Sequence, residues 1–175
     1  KILGAASAAG ASLKELKALG DLVTSSVKTF GVALSSCNLP SSKTPMFEMA
    51  EGQMEIGLGI HGERGLGSQV RETADSIVET LLHKLAQHIP AVESKVPLAI
   101  LLNNLGSTTL MEMAVLSRAT IRKLSSQGYT IARFYVGQFL TSMETAGISI
   151  SILPADNQIL AYLDAPTDMR VTFGP

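Results

Sequence analysis

The sequence has 175 residues, 46% of them hydrophobic and 17% charged, and a formal net charge of −1. Such a chain is long enough for one α/β domain with a single core and is expected to fold as one domain. It offers neither a basic surface for nucleic acid nor the roughly 20-residue apolar run of a membrane span. Its single cysteine, Cys37, excludes an intrachain disulfide, and without a charged-then-apolar leader the cytoplasm is the expected compartment.

The first third of the chain predicts two helices followed by a strand and a loop. Residues 1–9 have the character of a helix that began earlier, which suggests a piece of a longer chain. Ser12 and Glu15 form a capping-box pattern, and the leucines that follow at helical spacing predict a helix to about Phe30. The short strand is predicted at residues 32–34 and the polar loop at residues 35–45.

The middle of the chain predicts a strand, a helix and a second strand. In residues 54–60 apolar and polar side chains alternate weakly, and glycines follow. This pattern predicts a strand whose end allows another group to approach the backbone closely. Ser68 is predicted to cap the next helix, which carries an apolar stripe at helical spacing until Pro90 stops it. Residues 97–102 are continuously apolar, which predicts a strand covered on at least one face and ended by Asn103.

The last third of the chain predicts one long helix, two strands and a short helix. The long helix covers residues 108–127, and Gly128 is well placed as its C-terminal cap. Isoleucines alternate with serines in residues 148–153, a period of two that predicts a strand with one buried face. The other strand and the short helix are predicted at residues 130–136 and 156–163.

One glycine-rich segment is the candidate functional element. Residues 57–67 contain five glycines in eleven positions, where the usual frequency of about 7% would supply roughly one. Glycine allows positive φ and close approach of backbone to a ligand, so the cluster predicts a binding loop with His61 at its middle. The residues alone leave open a second interpretation, in which the segment is a wide turn and His61 a bystander.

Two nucleotide-binding motifs fit this segment poorly. Gly57, Gly59 and Gly62 match the G-x-G-x-x-G fingerprint, but glycines continue to Gly67, so no helix begins readily where the fingerprint needs one. A phosphate-binding P-loop would end in Gly-Lys-Ser/Thr, whereas this segment ends in Gly-Ser-Gln. Neither motif supports nucleotide binding by this chain.

The segment from Met54 to Glu63, MEIGLGIHGE, closely resembles the sequence around the substrate-binding histidine of dihydroxyacetone (glycerone) kinases. Arg64 departs from the family, which often has proline there, so the backbone is less restricted at this point. Four further segments resemble the family in the same order along the chain: Leu34–Cys37, Asn103–Gly106, Val136–Ser142 and Gly147–Leu153.

The resemblance implies an α/β fold with a mixed β-sheet and helices packed mainly on one face. It identifies residues 1–175 with a single lobe, the C-terminal lobe of the dihydroxyacetone-binding (K) domain or subunit. A larger two-lobe domain would then contain this chain as a fragment.

The resemblance also implies a covalent role for His61. In dihydroxyacetone kinases the equivalent histidine forms a hemiaminal with the carbonyl carbon of dihydroxyacetone, which is then phosphorylated to dihydroxyacetone phosphate. Imidazole suits this step, because its ordinary pKa of about 6.5 leaves most of it neutral at about pH 7, with one ring nitrogen free to attack.

Several partners follow from the resemblance. An N-terminal lobe of the same domain would supply a second histidine and an aspartate as acid/base groups, so this chain alone should turn over poorly. No cofactor is expected on this lobe, because phosphate would come from ATP with Mg or from a phosphotransferase relay on a separate nucleotide-binding helical domain or subunit. A homodimer is a further expectation. The alternative function is a dihydroxyacetone-sensing paralogue that regulates without transferring phosphate.

Other conspicuous residues have ordinary explanations. His83 and His88 lie five apart on a predicted helix, where a metal-binding pair would need a spacing of three or four, so they are expected to face solvent. Met111 and Met113 are predicted to fill the core, and Cys37 to be a buried small residue.

Asn103, Asn104 and Gly106 follow a predicted strand at the point where the next helix begins. In α/β folds this position often faces a ligand, but the same residue types also form turns. The residues leave the choice open.

Overall fold

The structure, a computed structural model, describes residues 1–37, 41, 44–45, 47–57, 65–92 and 95–167. The described residues form five helices and six strands. The helices are α1 (Ile2–Ala8), α2 (Leu13–Ser26), α3 (Ala74–Ala86), α4 (Leu110–Ser126) and α5 (Asn157–Asp164). The strands are β1 (Lys28–Ala33), β2 (Gln53–Ile56), β3 (Gly67–Val70), β4 (Leu98–Asn104), β5 (Ile131–Gly137) and β6 (Gly147–Pro154).

The strands form one mixed sheet in the order β3-β2-β1-β6-β4-β5. Only β4 and β5 are parallel, joined by the crossover helix α4, while every other neighbouring pair is antiparallel. The expected α/β class and mixed sheet are therefore confirmed.

The main core lies between the sheet and the two helices α3 and α4. Alternate residues of the central strands point to this side, so Ile100, Leu102, Ile150 and Ile152 are all fully buried there. The predicted period of two in β6 is confirmed, because the intervening serines are only half-buried.

The opposite face of the sheet carries a smaller apolar cluster beside α1, α2 and α5. Ala99 and Leu153 of the sheet pack there with Ile2 of α1 and Ile159 of α5. The helices are thus shared more evenly between the two faces than expected, although the larger core is on one side. None of the helices in the described ranges combines the length and apolar character needed to cross a bilayer.

Helix α2 is shorter than predicted. Its capping box is confirmed, since the Ser12 hydroxyl accepts from the Glu15 backbone and the Glu15 carboxylate accepts from the Ser12 N–H. The helix ends at Ser26 rather than near Phe30, because residues 28–30 pair with β6. Pairing within the sheet outweighs the helical pattern of those residues.

The helix predicted from Ser68 begins later than expected. Ser68 lies in the edge strand β3, where it stands opposite Glu55 of β2. Thr73 is the actual N-cap of α3, and its hydroxyl accepts a hydrogen bond from the Ser76 N–H at 3.3 Å. Gly128 follows the C-terminal end of α4 and has a φ of 88°, the positive value expected of a glycine that caps a helix.

Candidate functional site

His61 lies in residues 58–64, outside the described residues. The chain on both sides of this segment is described, and it forms the antiparallel hairpin of β2 and β3. The geometry of the site therefore starts from the two glycines that bound the segment, Gly57 and Gly65.

Gly57 is held closely at the end of β2. Its N–H donates to the Gly31 carbonyl at 2.8 Å, and its φ is 75°. A Cβ at this position would lie 3.2 Å from the ring of Phe30, in addition to the strain of the positive φ. The glycine is thus required by the backbone here.

Gly65 is held at the start of the return strand. A Cβ there would lie 2.3 Å from the Ile56 carbonyl oxygen and 2.8 Å from Oε1 of Glu55. The next residue, Leu66, donates its N–H to the same Ile56 carbonyl at 2.7 Å. No side chain fits at residue 65 without moving the hairpin.

Glu55 is buried beneath this return. Its side chain is 9% exposed, and its Oε2 accepts a hydrogen bond from the Ser68 hydroxyl at 2.5 Å. Among the described residues it is the only buried acidic or basic residue. Glu55 belongs to the MEIGLGIHGE segment, two residues before Gly57, but no pattern in the sequence indicates that it is buried.

A second polar cluster lies where β4 ends. The Asn104 side chain accepts from the N–H groups of Gly106 and Thr108 at 2.9 and 3.2 Å and donates to the Thr108 carbonyl at 2.6 Å. Gly106 has no room for a side chain, because a Cβ would lie 2.1 Å from the Met143 carbonyl oxygen. These contacts favour the turn over the ligand-facing interpretation.

The remaining candidates behave mostly as expected. His83 and His88 are exposed, as expected, although His88 lies beyond the end of α3 at Ala86 rather than on the helix. Cys37 is 1% exposed and Met113 is 3% exposed, as predicted for core residues. Met111 was predicted wrongly, since it is 75% exposed on the outer side of α4.

Comparisons with known proteins agree with this fold. A sequence model of the Dak1 domain matches residues 1–171. The chain is 39% identical over 169 residues to the dihydroxyacetone-binding subunit DhaK of the PTS-dependent dihydroxyacetone kinase 1 of Listeria innocua, covering 96% of this chain and 51% of that protein. It is 38% identical over 172 residues to human triokinase/FMN cyclase, covering 95% of this chain and 30% of that protein.

Solved structures give the same picture. The dihydroxyacetone kinase operon co-activator DhaQ superposes with a TM-score of 0.90 at 33% identity, over 95% of this chain and 51% of that one. The dihydroxyacetone kinase of C. freundii, solved with AMP-PNP and Mg²⁺, gives 0.84 at 27% identity, over 94% of this chain and 30% of that one.

These matches define an α/β protein of the type found in dihydroxyacetone kinases and their co-activators. The chain belongs to the Dak1 domain family. It spans about half the length of the Listeria subunit and less than a third of the human enzyme.

Proposed function

We propose that this chain is the C-terminal, substrate-capturing lobe of a dihydroxyacetone kinase and that His61 holds the ketone as a hemiaminal. The observation that carries this proposal is the hairpin of β2 and β3. It holds Gly57 at a positive φ of 75° and Gly65 where a Cβ would lie 2.3 Å from the Ile56 carbonyl oxygen, and these are the two ends of the segment that contains His61. Closely held ends on both sides of His61 support a binding role for this segment.

The proposed reaction is an addition. The unprotonated ring nitrogen of His61 attacks the carbonyl carbon, a C–N bond forms, and the C=O double bond opens to an alkoxide that takes up a proton. The other ring nitrogen releases its proton to solvent, so no atom of the ketone is lost. Glycerol has no carbonyl and cannot form the bond, which explains selection for ketones over similar polyols.

Capture also positions the substrate for phosphorylation. A ketone tethered to His61 presents its terminal hydroxyl in one orientation, which turns a loose encounter into an oriented one. The acid/base histidine and aspartate would come from an N-terminal lobe, and the phosphate from ATP with Mg²⁺ or from a phosphotransferase relay on another domain or subunit. Relatives with both kinds of donor in their names or titles support this division. The cytoplasm and a homodimer are part of the same proposal.

Native mass spectrometry of the chain in its complete polypeptide tests the proposal. Incubation with dihydroxyacetone, without borohydride, should add the full mass of one ketone, whereas a lysine Schiff base would add that mass less one water. His61→Ala should abolish the adduct, and His83→Ala, which removes an exposed histidine of α3, should keep it. No adduct on a protein that contains both lobes would contradict the proposal.

A second candidate function is regulatory. The co-activator DhaQ matches this chain with a TM-score of 0.90, so the fold alone does not separate a kinase from a regulator. The two differ in the reaction that follows capture. If the complete polypeptide forms the adduct but makes no dihydroxyacetone phosphate with ATP and Mg²⁺ or with a phosphotransferase donor subunit, the regulator is favoured.

A further inference from the structure

We propose that Glu55 is a positioning residue, whose buried carboxylate holds the β2–β3 hairpin in the shape that orients the segment bearing His61. This inference rests on the proposed function. It assigns a role to a charged group that neither the family motif nor the capture reaction explains.

The side of the sheet on which Glu55 lies makes its burial unusual. Met54 and Ile56 point into the main core and are 0% and 2% exposed. Because side chains alternate along a strand, Glu55 points to the opposite face of the sheet. An edge hairpin would normally leave that face to solvent, yet Glu55 is covered there.

The chain returning at Gly65 lies against the carboxylate. A Cβ on Gly65 would come within 2.8 Å of Oε1 and 3.1 Å of Cγ of Glu55. The absence of a side chain at residue 65 is therefore what lets the backbone there lie this close to the Glu55 carboxylate.

Ser68 ties the same carboxylate to the return strand. It stands directly opposite Glu55 in the ladder, and its hydroxyl donates to Oε2 at 2.5 Å. Burying a carboxylate costs free energy unless it is hydrogen-bonded. If the hairpin had only a structural role, an apolar residue in place of Glu55 would stabilise it equally well. The hydrogen bond from Ser68 joins β2 to β3 and restricts how the two strands can shift relative to each other.

The test compares ketone capture with stability in the complete polypeptide. Glu55→Ala should weaken the apparent affinity for dihydroxyacetone, read from the adduct fraction in native mass spectra, by about tenfold. Glu55→Gln, which keeps an acceptor for the Ser68 hydroxyl, should recover most of that loss. Glu55→Ala combined with Ser68→Ala should be no worse than Glu55→Ala alone, since both act through one hydrogen bond.

Leu124→Ala supplies the stability control. Leu124 is 1% exposed and packs in the main core from α4, a helix that is not part of the hairpin. Its truncation should lower the melting temperature and leave capture unchanged. A Glu55→Ala protein that captures ketone like wild type, or a loss of capture that follows melting temperature in Leu124→Ala as well, would overturn the positioning role. If wild type itself forms no adduct, the proposed function fails and this inference fails with it.

Discussion

Asn103 and Leu140 exchange two hydrogen bonds across 37 residues of sequence. The Asn103 amide nitrogen donates to the Leu140 carbonyl at 2.7 Å, and the Leu140 N–H donates back to its oxygen at 3.0 Å. The same oxygen accepts from the Phe139 N–H at 2.8 Å, and the nitrogen also reaches the Ser149 hydroxyl at 3.3 Å. One buried side chain thus holds the turn after β5 against the end of β4 and the start of β6.

Asn103→Asp should destabilise the protein by about 2–3 kcal/mol. The carboxylate still accepts from the two N–H groups, but it faces the Leu140 carbonyl oxygen without a proton to donate, at a side chain that is 2% exposed. Urea unfolding measures the loss. Asn157→Asp, the same change at the exposed first residue of α5, should be neutral or slightly stabilising because acidic groups favour helix N-termini. Equal losses would contradict the role of Asn103.

Gly106→Ala should cost about 2 kcal/mol or more, because the added Cβ would clash with backbone at the Met143 carbonyl. Flexible side chains cannot relieve that contact. Gly4→Ala is the matched control, since a Cβ at this position of α1 meets nothing within 4 Å. It should raise stability by up to about 1 kcal/mol through helix propensity. Thermal unfolding of both variants checks the pair, and a harmless Gly106→Ala would show that the turn is not held as described.

Leu102→Ala should cost about 2–5 kcal/mol, because Leu102 is fully buried in β4 and its removal leaves a cavity in the main core. Leu110→Ala removes the same atoms from a residue that is 88% exposed at the start of α4. That control should change stability by no more than about 0.5 kcal/mol. Denaturant midpoints distinguish the two, and similar values would mean that the core is not centred on β4.

Acid should weaken the link between β5 and α5. Arg133 donates to both carboxylate oxygens of Asp164, at 2.7 and 2.5 Å, and these hydrogen bonds hold the pKa of Asp164 below its ordinary value of 3.8. A group with a lowered folded pKa contributes stability above its unfolded pKa and loses that contribution as pH falls through the folded value. The difference in free energy of unfolding between wild type and Asp164→Asn should therefore be smaller at about pH 3 than at about pH 7. Arg133→Gln should behave like Asp164→Asn, and a difference that widens in acid would contradict the pairing.

Local signals explain which elements were predictable. The capping box of Ser12 and Glu15 involves residues three apart, and the alternation in β6 involves residues two apart. Both can be recognised from a short stretch of sequence because the interacting groups are neighbours in the chain. The predicted start of α3 was wrong because it depends on a contact between residues far apart in the chain. Ser68 resembles an N-cap locally, but it pairs with Glu55, thirteen residues away.

The candidate site divides in the same way. The glycine density and the MEIGLGIHGE segment indicated His61 from the sequence, and the role of that histidine stays a prediction because it lies outside the described residues. The need for glycine at Gly57 and Gly65 is explained only by contacts with Phe30, Ile56 and Glu55 in the folded hairpin.

The sequence by itself determined the α/β class, the position of most helices and strands, and the segment in which ketone chemistry is proposed, because each depends on residue types within a few positions of one another. Only the tertiary structure decided the strand order, the sharing of helices between two faces, and the burial of Glu55 and Asn103. Those features depend on contacts between residues far apart in the chain, such as Asn103 with Leu140, and no local pattern encodes such a pairing.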